Sequence, residues 1–314
     1  DYFNGIMNSD INPNRNILIT GASGLIGTRL IKNLLEKGHN VSVLSRQASN
    51  LKGVSTYNWD VDKQLVDLKA FEGIDTIIHL AVAGIADKRW TKQRKQEIVD
   101  SRIRSTQLLY HTIDAIKAPI KTFISASAVG YYGDRYDEIL YEKSESGKGF
   151  LADCCKQWEA AVDEGLKSGI RVVKLRIGIV LSKQGGALSE LARPVSFFVG
   201  APLGSGKQWM PWIHLTDLVS IFERAIENAE YSGTFNACTP NPVTNYEFTK
   251  ILAKKLFRPV WPVNVPEFVI KTMLGEMSTV ILNSTRTSPQ KLMDMGFRFR
   301  YQGLDAALSE IYSH

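Results

Sequence analysis

Three glycines, spaced as Gly21-Ala-Ser-Gly24-Leu-Ile-Gly27, separate a short apolar run (Asn16 to Thr20) from a stretch with apolar residues at helical spacing: Leu25, Ile26, Leu30, Leu34 and Leu35. A strand that turns on glycine into a helix is the setting in which this pattern binds a dinucleotide. Gly21 permits the tight turn, Gly24 lets the main chain approach a pyrophosphate, and Gly27 lets the helix close on the sheet. The helix start adds unpaired N–H groups and a positive dipole end. A second strand ends at Ser45-Arg46, twenty-five residues beyond Gly21, near the place where NAD sites carry an acid for the ribose hydroxyls. No acid stands there. Ser45 can give one hydrogen bond and Arg46 a charge-assisted, bidentate one, which suits a 2′-phosphate, so the expected cofactor is NADP. No other signature is present: the sequence has no His/Cys/Asp spacing for a metal, no Gly-x-Ser-x-Gly elbow and no Walker lysine.

The elements that must position this turn read clearly. Strands are expected at Val41 to Arg46, Asp75 to Ala81, Thr122 to Ser127 and Val172 to Ile179, with helices at Leu25 to Glu36, Lys92 to Ile116 and Asp153 to Lys167. Alternating strand and helix implies an α/β fold, a Rossmann-type doubly wound parallel sheet with helices on both faces. From about Leu181 glycine and proline thicken and the helical pieces shorten, which marks a smaller mixed α/β C-terminal lobe. The expected division is a leader or expression remnant without order at 1–15, an NADP-binding domain at 16–180 and a substrate-side lobe at 181–314.

Composition narrows the function classes. With 44% hydrophobic and 22% charged residues the 314-residue chain can bury a core. Its longest apolar runs fall far short of the roughly 20 residues that cross a bilayer. No spanning run means that no membrane partner is expected, the scattered net charge of +6 means that no nucleic acid is, and a small-molecule substrate is expected. Three cysteines, two of them adjacent, make neither a disulfide framework nor a zinc set, which suits a reducing, cytoplasmic compartment. The sequence leaves the oligomeric state open.

With its glycine turn, His79-Leu80-Ala81 and Ser125-Ala126-Ser127, the chain resembles the short-chain dehydrogenase/reductase superfamily in its extended, nucleotide-sugar-epimerase-like branch. More closely it resembles the atypical epimerase family proteins, through Ile85 to Trp90, Ser125 to Gly133, Gly204 to Asp217 and Gly296-Phe297. The likeness runs from about Asn16 to Ile311. It implies that Gly21, Gly24, Leu25, Ile26 and Gly27 hold the pyrophosphate and that Ser45 and Arg46 hold the adenosine phosphate. Leu80 and Ala81 would line the dinucleotide crevice, and Glu97, Arg102 and Val180 match positions that contact cofactor. Arg102 stands where extended members usually carry Asn, a departure that the atypical group shares.

Superfamily chemistry rests on a Ser, a Tyr and a Lys four residues after the Tyr, in which the Tyr moves the proton, the Lys lowers its pKa and the Ser steadies the reacting oxygen. Here Ser127 holds the serine position, but the helix that should carry Tyr-x-x-x-Lys reads Phe150-Leu-Ala-Asp-Cys154. A phenyl ring transfers no proton, and a thiol is no ammonium. Three readings follow. Tyr131 or Tyr132, the phenols nearest in sequence to Ser127, replace the acid, with Cys154 as rival and Arg102 able to tune either. Alternatively the protein binds NADP(H) as a sensor or scaffold without turnover. In the third reading these side chains only pack. For the second lobe the resemblance implies that Lys207, Gln208, Trp209 and Trp212 meet a polar, sugar-derived ring, with His214 a structural hydrogen-bonding residue.

Overall fold

A computed structural model describes residues 14–47 and 51–313; most of the expected leader lies outside them. Seven strands form one parallel sheet: β1 (Asn16–Thr20), β2 (Asn40–Ser45), β3 (Ser55–Asp60), β5 (Thr76–His79), β6 (Thr122–Ala128), β8 (Arg171–Ile177) and β12 (Gly233–Ala237). The short β4 (Leu65–Val66) adds an antiparallel eighth, giving the order β12-β8-β6-β5-β1-β2-β3-β4. Long helices cover both faces: α1 (Leu25–Glu36), α2 (Lys92–Ile116) and α3 (Phe150–Asp163), which continues as a 3-10 turn to Ser168. Strand β3 gave no apolar signal because only Trp59 of its six residues is buried.

After β8 come β9 (Ile179–Leu181), which spans Val180, then α4 (Ala187–Ser196), β10 (Trp209–Met210), β11 (Trp212–His214), α5 (Leu215–Glu227), β13 (Val243–Thr244) and α6 (Asn245–Lys255). The helices α7 (Glu267–Leu274), α8 (Thr279–Leu282), α9 (Gln290–Asp294) and α10 (Leu304–Tyr312) complete the chain, and β14 (Arg286–Thr287) pairs with β7 (Ile139–Leu140). This lobe has its own core of Leu188, Trp212, Phe248, Leu252 and Leu308. Two of its elements nevertheless return to the large sheet, since α5 buries Leu218, Ile221 and Phe222 in the core beneath α1 and β12 pairs with β8. The boundary expected at 180 is therefore crossed twice.

Strand order reverses at β1, between β5 and β2, and open parallel sheets bind ligands at such a point. A buried hydrogen-bond chain fixes it. Thr20 Oγ1 accepts from the N–H groups of Leu80 and Ala81, both at 3.1 Å, so its own proton goes to His79 Nδ1 at 2.7 Å. That leaves the His79 proton on Nε2, donated to Ser105 Oγ at 2.9 Å, and Ser105 passes its own to Ser101 O. Every member is satisfied only while the imidazole is neutral. Burial alone drives His79 down to about 3.

An unfolded His79 binds a proton below about pH 6.5, whereas the folded one refuses it until about pH 3. Stability from this group is complete above 6.5 and is lost as pH falls towards 3. His39 and His214, also lowered by burial, act in the same direction. Thermal melts between pH 8 and 4 should show a steep fall in Tm below pH 6.5, and His79→Gln should flatten that slope; equal slopes would refute the assignment.

Candidate functional site

At the switch point the glycine turn is packed too tightly for side chains. Gly21 has φ +75, and a β-carbon there would lie 2.7 Å from Leu80 C. At Gly27 a β-carbon would lie 2.4 Å from Gly21 O, so only glycine lets α1 close on the turn. No side chain caps the first turn of α1. Its leading N–H groups are left to a ligand, which is what a pyrophosphate requires. Leu25 and Ile26 pack partly against the core below, and Gly186 at the start of α4 sits 3.1 Å, by its would-be β-carbon, from Leu25 Cδ2. The turn thus meets the second lobe at Gly186, a neighbour that the sequence did not reveal.

Ser45 ends β2, its Oγ accepting from Gln47 N at 3.3 Å. Arg46 beside it is exposed and makes no hydrogen bond or ion pair among the described residues. On the other side the segment after β5 is clamped from α2: Ser101 accepts from Ala83 N, and Arg102 gives hydrogen bonds to Ala83 O and Ile98 O. Arg102 is buried, so it positions the crevice wall. Glu97 lies exposed and paired with Arg94 at 3.1 Å, and Val180 pairs with Ile213 in the β9–β11 ribbon.

Next to this crevice runs a polar row that the apolar strands conceal. Ser127 on β6, Arg176 on β8 and Asn236 on β12 are partners in register, so the three side chains share one sheet face. Above them Glu159 of α3 takes Arg176 in a bidentate grip, Nε to Oε1 and Nη2 to Oε2, both at 2.8 Å. Ser127 donates to Glu159 Oε1 at 2.7 Å. An ionised carboxylate only accepts, so the serine proton is committed and its lone pairs are what remains for a ligand.

Tyr132 is fully buried in the same row. Asn236 turns its amide N–H groups on Leu140 O and Ser288 O, which points Oδ1 at the tyrosine; Tyr132 donates to it at 2.6 Å and accepts from Arg176 at 2.9 Å. Burial pushes this phenol up to about 12, with Arg176 pulling the other way. The Tyr132 hydroxyl thus has both its donor and an acceptor position taken up within the row. Tyr131 differs. It is half-buried, its ring lies 3.4 Å from the Arg176 guanidinium, and its hydroxyl has no partner among the described residues.

Cys154 is buried in an apolar cluster with Trp90 and Ile98, and Phe150 meets Trp90 edge-on at 4.9 Å while Met277 closes the cluster from the second lobe. Burial raises the Cys154 thiol, and Arg102 only partly offsets this. Lys156 points away, paired with Asp153 at the surface. Of the second-lobe candidates, Trp212 is fully enclosed in the lobe core and Gln208 is buried with its amide on Leu203 O and Ile281 O. Both side chains are buried. Trp209 is half-buried over the loop that follows Tyr132, its indole N–H on Asp137 and the Arg286 guanidinium 4.4 Å from its ring, while Lys207 is exposed. His214 caps α5, accepting from Thr216 N, and Asp217 accepts from the N–H groups of Arg300 and Tyr301.

Comparison with known proteins agrees with this geometry. Residues 17–151 match the model of the NAD dependent epimerase/dehydratase family, and residues 265–311 match a domain of unknown function, DUF1731. An epimerase family protein of Arabidopsis thaliana, the chloroplastic SDR39U1 homolog, is 37% identical over 301 residues, covering 94% of this chain and 86% of that protein. This chain belongs to the epimerase family proteins. A solved family member, human SDR39U1 (isoform 2) with NADPH, superimposes with a TM-score of 0.82 at 29% identity, over 95% of this chain and 99% of that one. A nucleoside-diphosphate sugar epimerase from Corynebacterium glutamicum gives 0.77 at 36% identity, over 95% of this chain and 58% of the other.

Glu159, Arg176 and Asn236 were missed by sequence reasoning about this epimerase family member. One signal was available: Lys174 and Arg176 alternate in the otherwise apolar strand Val172 to Ile177, so both cations fall on one face and need partners. Lys174 finds Asp163 at 2.6 Å. The turn itself supplies a mutational test. Gly27→Ala should cost roughly 1–3 kcal/mol through the forced backbone shift and remove dinucleotide binding, read by thermal melting and NADPH titration; retained affinity would show that the turn is not the binding element.

Proposed function

We propose that this epimerase family protein binds NADP(H) at the β1–β5 switch point and uses it to oxidise and reduce a small, polar, sugar-derived hydroxyl or carbonyl compound. One observation carries the catalytic part: Tyr131, four residues after Ser127, has a hydroxyl without a partner among the described residues, with the Arg176 cation held against its ring. The bare first turn of α1 and the tight Gly21–Gly27 packing fit a dinucleotide pyrophosphate, and Arg46 fits a 2′-phosphate. The human relative solved with NADPH supports that choice. The cofactor, when bound, supplies or removes a hydride. Three free, buried thiols suit a reducing, cytoplasmic setting.

The protein's own part is proton transfer and orientation. Because the Ser127 proton is held by Glu159, Ser127 accepts a hydrogen bond from the substrate and so favours the hydroxyl form. Tyr131 exchanges the proton with the reacting oxygen, and negative charge that builds on its own oxygen meets the fixed Arg176 charge. Trp209 offers an aromatic face, and Lys207 a cation, to a polar ring. A reading without turnover, as an NADP(H)-responsive binding protein, draws on the apolar cluster of Trp90, Phe150, Cys154 and Met277 that fills the place of the usual acid–base pair.

Fluorescence titration should show tighter binding of NADPH than of NADH, with Arg46→Ala losing on the order of tenfold for NADPH alone; equal affinities in the parent protein would overturn the NADP assignment. In a screen of sugars, aldehydes and ketones for NADPH consumption, Tyr131→Phe should lose on the order of 100-fold on any active compound. Cys154→Ser should stay near parental activity, and Tyr132→Phe should lower Tm more than it lowers the rate. Full activity in Tyr131→Phe would reject the assignment, and an exhaustive blank screen beside tight NADPH binding would favour the binding-protein reading.

A further inference from the structure

The ends of α4 and α6 lie side by side and finish alike. Just past each helix stands a phenylalanine in the left-handed region, Phe198 with φ +63 and Phe257 with φ +54. Helices commonly end on glycine at this position because a β-carbon is disfavoured there. Both rings nevertheless point outwards, Phe257 being 84% exposed and Phe198 54%, with Phe197 beside it at 70%. The two chain segments are then laced together. Trp261 gives its main-chain N–H to Gly200 O at 2.9 Å and its indole N–H to Phe198 O at 2.7 Å, and Arg258 gives Nε to Ser196 O and lies 4.4 Å from the Phe198 ring. The lacing leaves Val199, Trp261 and Val263 more than half exposed. Six large apolar side chains are thus held on neighbouring tips, where single exposed residues would call for no explanation.

Charge decides what fits there. Residues 191–209 and 248–265, which build these tips, contain no Asp or Glu but carry Arg193, Lys207, Lys250, Lys254, Lys255 and Arg258. Of these, Lys255 is paired with Asp305 at 2.8 Å. We infer that this face docks the protein on an anionic lipid bilayer, with Phe197, Phe198, Phe257 and Trp261 entering at headgroup level and Arg193, Lys254 and Arg258 meeting the phosphates. Aromatic rings ringed by Lys and Arg are the composition that partitions to that interface. A two-fold dimer through the same face would set these cations against their own copies, which disfavours a second copy as the occupant. Among the described residues no helix is long and apolar enough to cross a membrane, so the contact is peripheral.

The test is co-sedimentation of the full chain with large vesicles of phosphatidylcholine alone or mixed with phosphatidylglycerol, at low and high salt. The protein should pellet with the anionic vesicles only, and release as salt rises. Phe257→Ser with Trp261→Ser should reduce pelleting tenfold or more, and each of Lys254→Glu and Arg258→Glu by on the order of fivefold. Trp261 and Arg258 also lace α4 to α6, so a lower Tm is expected of their variants, and a cooperative melt with unchanged NADPH titration will show that all four are folded. Absence of pelleting with anionic vesicles, or equal pelleting of parent and variants, would overturn the proposal. So would a sedimentation-velocity dimer that the Phe257/Trp261 variant dissolves without any lipid binding, which would make the face an interface between copies.

Discussion

The guanidinium of Arg176 has to be neutralised inside the sheet, and the site takes its shape from how this is done. A lone buried cation costs several kcal/mol, so α3 must bring Glu159 over β8, and the bidentate grip fixes the helix in rotation as well as height. Ser127 then has one partner for its proton. Tyr132 is drawn under the sheet end to accept from Nη1, which also gives to Glu142 O, and the flat face left over is covered by the Tyr131 ring. Four side chains from three elements are placed by one charge.

In the proposed mechanism the same arrangement takes the place of the usual tyrosine and lysine. In that familiar arrangement both groups sit on one helix and the cation acts through space on the tyrosine beside it. In this protein the corresponding helix positions have turned apolar and pack against Trp90, Ile98 and Met277. The cation has moved to a strand and the free phenol to the turn after β6. The helix keeps a part through Glu159, whose carboxylate sets the direction of the Ser127 hydrogen bond and so the kind of group that can be held there.

What was legible in the sequence was what is local. Glycine spacing, the acid missing at Arg46 and the alternation of strand and helix each depend on residues within one turn or one element, and the structure forms the turn and the elements. The Ser127–Arg176–Asn236 row was not legible, because its members are brought together by sheet register across segments far apart in the chain. Trp209 and Trp212 make the same point. They stand three residues apart in similar company, yet Trp209 lies half-open over a loop while Trp212 is sealed in a core. The expectation of no membrane partner was drawn from span length, a criterion blind to rings displayed at helix ends.

Strand β12 comes back from the second lobe to pair with β8, and this has consequences for how the molecule is made. Until residues 233–237 have left the ribosome, β8 is an open edge, with main-chain N–H and C=O groups free along one side and the hydrophobic faces of Phe235 and Phe222 unplaced. The cofactor-binding half cannot finish as a co-translational unit, and the last parallel pairing waits on a long loop closure. Excision of the second lobe would leave a sticky sheet instead of a smaller domain. Recombination that exchanges the lobe for one with another specificity would have to carry α5 and β12 along with it.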